Sequence, residues 1–145
     1  MRHVKAFSLV LVTLVAPVVA PASAWAQSSR EVEKASQVLR LNREAMELFE
    51  SLDFELARKQ LLEALEVGRK AGLDTHSVIA KTHGNLGLLY AVGFKDAAKA
   101  VEHFKKALAV RADYRVAKEL ASPDVEALFA RAQTEQSEGK PVDPS

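Results

Sequence analysis

Histidines 76, 83 and 103 are the only histidines after position 26, and they are the side chains best suited to proton or metal chemistry near neutral pH. His76 and His83 stand two turns apart on one predicted helix, whereas two ligands on a helix face prefer a spacing of four. Glu102 and His103 place an acid beside a base, but adjacent helical residues point about 100° apart and do not face one substrate. Thr75 and Ser77 flank His76 as a nucleophile and its base would, yet no orienting acid or oxyanion feature accompanies them, and helix capping accounts for both hydroxyls. Cysteine is absent, which removes disulfides, thiol nucleophiles and thiolate metal sites together. No G-x-x-x-x-G-K-[ST], G-x-S-x-G or H-E-x-x-H occurs, and the glycines stand singly, so no loop is built to cradle phosphate. Neither catalytic residues nor a metal site nor a cofactor is expected; the chain reads as a non-enzyme.

Charge carries more information. The 145 residues have a formal net charge of +1, so whole-chain electrostatics do not attract nucleic acid, and no aromatics interleave the bases. Glu31 to Glu66 holds 9 acids against 5 bases, whereas Lys81 to Lys118 holds 8 bases against 3 acids. Lys95, Lys99, Lys105 and Lys106 form a candidate basic face for an acidic partner or for head-to-tail self-association. Glu55–Lys59, Glu66–Lys70 and Glu102–Lys106, each at i, i+4, favour the plainer reading of solvated helix faces.

These side chains must be positioned by the elements around them. Arg2 and Lys5 precede an apolar run from Ala6 to Ala20, and small residues follow in Pro21-Ala22-Ser23-Ala24-Trp25-Ala26. This order is that of a secretory signal peptide over 1–26, with cleavage after Ala26 or, second, after Ala24. Its 15 apolar-run residues fall short of the roughly 20 a membrane span needs. Export to the periplasm or beyond the cell is expected, with no stable membrane span after cleavage.

Beyond the leader the hydrophobic period is helical throughout. A lead over 27–37 enters a first helix at about Arg30–Ser51, striped by Val38, Leu41, Ala45, Leu48 and Phe49. A second follows at about Glu55–Ala71, ended by Gly72 in a left-handed conformation. A third, capped by Asp74 or Thr75, runs to Val92 and is closed by Gly93; a fourth spans Lys95–Arg111. Ser122-Pro123-Asp124 starts a fifth. Residues 115–136 are thus a linker and packing helix, and 137–145 a polar tail with nothing to bury.

The chain also resembles itself. Ala45 aligns with Gly87 and Leu48 with Tyr90 at an offset of 42; Ala57, Leu61, Ala64 and Leu65 align with Ala100, Phe104, Ala107 and Leu108 at 43. His83, Leu86, Gly87, Tyr90, Ala100 and Phe104 carry the signature by which residues 38–114 resemble the tetratricopeptide repeat family. A weaker first copy runs from Leu41 to Ala64. The period is longer than the family's usual 34, and the closing proline is replaced by Ala112.

That resemblance implies an all-α solenoid of about two helical hairpins plus a C-terminal helix, with His83 filling the hairpin's first-position slot. It further implies a concave groove lined by Asn42, Met46, Phe49 and Glu50 from one copy and by Gly84, Leu88, Ala91 and Val92 from the next. The expected function is protein–protein interaction or scaffolding, with a peptide or protein held in this groove. Asn85 matches one residue of the family's carboxylate clamp, but Asn42 and Met46 stand where its Lys and second Asn belong, so no clamp is expected. The alternatives are a self-assembling, homo-oligomeric envelope subunit, and a groove covered by the Ser122–Gln133 helix or by the N-terminal turn near Val32.

Overall fold

The computed structural model describes residues 22–139. Most of the expected leader, 1–21, and the last part of the expected tail, 140–145, lie outside the described residues. Five α-helices follow in order: α1 (Ala22–Glu50), α2 (Phe54–Lys70), α3 (Ser77–Val92), α4 (Ala97–Val110) and α5 (Pro123–Glu138). One 3-10 turn, Lys118–Leu120, precedes α5, and no strand occurs among the described residues. The architecture is all-α, as the period of the sequence requires.

Capping fixes the joints. Asp53 and Asp96 accept from the backbone N–H of Leu56 and Lys99 to start α2 and α4, and Ser122 does the same for α5 through Val125. At α3 neither Asp74 nor Thr75 is the cap; His76 is, its Nδ1 accepting from the Val78 N–H at 3.2 Å. Gly72 takes the expected left-handed φ of 71° after α2. Gly93 closes α3 as expected, its N–H donating to the Leu89 carbonyl, with φ −77°, and Lys95 then takes a positive φ of 54°. The first turn is reversed by Leu52 at φ 64°. α1 begins eight residues earlier than the expected Arg30, at Ala22; Ala24 to Lys34 are exposed, and good helix formers such as Ala24, Ala26, Gln27, Arg30, Glu31 and Glu33 carry the helix outward from the packed part of α1.

Helices α1 and α2 form one antiparallel hairpin, α3 and α4 a second, and α5 lies on α4 and touches α3. α3 is therefore central. Eleven of its 16 residues are buried, which explains why its apolar residues do not keep to one stripe. Two apolar clusters result. Ala35, Val38, Leu41, Ala64, Leu73, Val78 and Ile79 join the ends of α1, α2 and α3. Ala45, Ala57, Leu61, Leu86, Leu89, Ala100, Phe104, Val125 and Phe129 form the larger one. Gly87 lets α3 and α4 approach closely: a Cβ there would lie 2.5 Å from the Phe104 ring.

Candidate functional site

The groove residues expected on α1 and α3 have different fates in the structure. Asn42 and Leu88 are a correction to the sequence reading, being fully buried. Asn42 donates to Thr82 Oγ1 at 2.8 Å and to the Val38 carbonyl at 2.9 Å, and it accepts from Asn85 Nδ2 at 2.8 Å. Thr82 in turn donates to the Val78 carbonyl at 2.8 Å. The polar residues that a peptide would meet are thus spent on locking α1 against α3.

Leu88 is covered by the chain's own next segment. Tyr114, Val116 and Leu120 pack onto the larger core, and Tyr114 lies directly over Gly84, where any side chain would collide with its hydroxyl. Burial pushes the Tyr114 phenol up to about 12. A cleft of about 260 Å³ remains at the edge, bordered by Lys81, Leu88, Arg111, Asp113 and Arg115. Arg111 holds Asp113 in a two-toothed ion pair, at 2.7 and 3.0 Å. The cover expected from the Ser122–Gln133 helix comes in fact from the linker before it.

Met46, Phe49, Ala91 and Val92 are half-buried against the same core, and Glu50 is exposed at the end of α1. What stays open lies farther up α1. Val32, Ser36, Leu39, Arg43, Met46 and Glu50 recur at helical spacing along one face. Val32 is 64% exposed and Leu39 43%, and with Ser36, His76 and Val78 they border a cleft of about 330 Å³. The sequence reading did not carry the groove past Asn42, although the spacing continues unbroken to Val32.

The basic face is largely neutralised. Lys99 pairs with Asp96 at 3.6 Å, Lys105 with Glu135 at 3.2 Å and Lys106 with Glu102 at 2.6 Å, while Lys95 is exposed in the turn before α4. Such solvated pairs add little stability.

A row of rings crosses the hairpins. Phe49 meets Phe54 with centroids 5.6 Å apart, Phe54 meets Phe94 at 6.4 Å, and Phe94 meets Tyr90 at 5.5 Å. Tyr90 stacks on His103 at 5.4 Å with planes 8° apart, and His103 meets His83 at 5.3 Å. Arg58 and Lys99 sit over the Phe94 and Tyr90 rings at 5.1 and 5.2 Å. The nearness of His83 to His103 escaped the sequence reading, which paired histidines only within one helix. Among the described residues no group of three or more His, Cys, Asp or Glu is arranged to hold a metal, and no helix is long and apolar enough to cross a membrane.

Against known families, residues 39–113 match the one described as tetratricopeptide repeat. No curated protein and no solved structure matches the chain.

Proposed function

Since the chain belongs to the tetratricopeptide repeat family, whose helical hairpins generally mediate protein–protein interaction, we propose that it is an exported interaction module holding a segment of a protein partner on the concave face of α1. The observation that carries this reading is the pair of exposed apolar side chains Val32 and Leu39 beside a cleft, on the part of α1 after Gln27, where the other large apolar residues are packed or half-buried. A folded domain has little reason to keep such a stripe in water without a use for it. Arg43 and Glu50 continue the stripe with charge. The partner segment is therefore amphipathic, with an apolar side toward Val32 and Leu39 and charges complementary to Arg43 and Glu50.

Export rests on the composition of residues 1–26. Ala24, Trp25 and Ala26, just before the expected cut after Ala26, are exposed. The intact mass of the exported protein tests this, with Gln27 expected as its first residue. Self-assembly is the weaker reading, because α5 buries Val125, Phe129 and Ala132 and turns Asp124, Glu126, Arg131 and Glu138 outward. A polar outer face suits a terminal cap and not a stacking surface.

The binding test is a chain carrying Val32→Ser and Leu39→Ser. It is expected to keep its melting temperature and helicity and to lose the partners that the parent captures from a cell-envelope extract. Undiminished capture would move the site elsewhere, first to Lys95 and its neighbours.

A further inference from the structure

His83 on α3 and His103 on α4 stand with their Nδ1 atoms 3.1 Å apart. Both residues are half-buried, and a contact this short needs an unprotonated nitrogen on at least one ring. One ring then donates its Nδ1 proton and the other accepts it. From this geometry we propose that His83 and His103 form a two-toothed chelate for a divalent transition-metal ion of the zinc or copper class.

The bite fits. With metal–nitrogen bonds of about 2.05 Å, nitrogens 3.1 Å apart subtend about 98° at the ion. That angle lies between the right angle of tetragonal copper(II) and the tetrahedral angle of zinc(II). Neutral imidazole is a ligand suited to both ions, whereas magnesium and calcium prefer oxygen. The His103 ring is held in place by Tyr90, which stacks on it in parallel, so little freedom is lost on binding.

The charges facing the pair balance. Lys106 is tied to Glu102 at 2.6 Å, and Lys99 lies over the Tyr90 ring and within 3.6 Å of Asp96. Two protein ligands leave the remaining coordination positions to water. When the ion binds, the Nδ1 proton of the donor ring is lost and Nε2 of the same ring takes one up.

The experiment titrates zinc chloride, and separately copper chloride, into the folded full chain by calorimetry. His3→Gln is included because a histidine at the third position of a free N-terminus chelates copper by itself. One ion per chain is expected, with copper bound more tightly than zinc and magnesium not bound. His83→Gln and His103→Gln should each weaken binding at least tenfold, whereas His76→Gln should leave it unchanged. Should either glutamine variant fail to fold, the nitrogen hyperfine pattern of copper(II) on the His3→Gln parent is the second readout, and two coordinated imidazoles are expected. Absence of binding at millimolar zinc and copper, retention of full affinity in both folded variants, or a spectrum with one imidazole or none would overturn the assignment.

Discussion

Asn85 Nδ2 donates to Asn42 Oδ1 at 2.8 Å across the contact between α3 and α1, and Asn42 Nδ2 bonds Thr82 Oγ1 at the same distance. Asn42 on α1 is thereby tied to Thr82 and Asn85, one turn apart on α3, which fixes the register of the first helices of the two hairpins. Asn42→Leu fills similar volume but leaves the Thr82 hydroxyl and the Asn85 amide short of a partner in the core. A loss of about 1–3 kcal/mol is expected in denaturant unfolding, and an unchanged midpoint would show that water replaces the missing bonds.

Tyr114 over Gly84 predicts that the linker is held by a single close contact. Gly84→Ala places a methyl group where the phenol sits, so Tyr114 must leave or tilt. Limited proteolysis is expected to cut the variant faster between Arg111 and Lys118 while α1–α4 stay resistant. Equal cleavage rates in parent and variant would mean that Val116 and Leu120 hold the segment without Tyr114.

The left-handed backbone at Leu52, φ 64°, carries a side chain that is 73% exposed. A branched residue there is strained and contributes no core contact in return. Leu52→Gly is expected to stabilise the fold by about 1 kcal/mol, seen as a raised melting temperature. A fall would show that the exposed leucine is doing something the strain argument omits.

The repeat, the all-α class and the packing of Ala57, Leu61, Tyr90, Ala100 and Phe104 were legible in the sequence, because small and large residues at fixed helical offsets leave few other ways to pair helices. The groove was less so. Asn42 and Leu88 hold concave positions by spacing, yet spacing is silent about which long-range partner fills the space above them, and here Asn85, Thr82 and the Tyr114–Leu120 segment do. Gly93 closes α3 as its position predicts, whereas the positive φ at Lys95 falls on a residue whose type does not announce it. The His83–His103 approach depends on the rotation of α3 relative to α4, which residue counting along either helix does not specify.

Acid should weaken the metal-free fold in a defined window. His83 and His103 are pushed down to about 4, by burial above all, with Lys106 adding to the effect on both rings, His103 adding to it on His83, and Glu102 opposing it on both. The unfolded chain, with histidines near the ordinary 6.5, therefore binds more protons between these values. The stabilisation is complete above about pH 6.5 and is lost as pH falls toward 4. With chelator present, the melting temperature is expected to drop across that interval, and the double variant His83→Gln, His103→Gln should flatten the slope. Glu66, held down to about 2 by hydrogen bonds from Arg69 and Lys70, loses its contribution as pH falls from about 4.5 toward 2, mostly below the histidine window. A parent slope that survives the double variant would place the acid sensitivity in other groups.

The central claim is that the partner lies along the concave stripe of α1, and site-specific photocrosslinking in cells tests it most directly. A photoreactive side chain is placed at Leu39, and in a second chain at Leu62, which is exposed to a similar degree on α2. The account predicts a discrete crosslinked protein from position 39, absent from position 62 and abolished by Val32→Ser. Equal crosslinking from both positions, or a discrete product from position 62 alone, would contradict it.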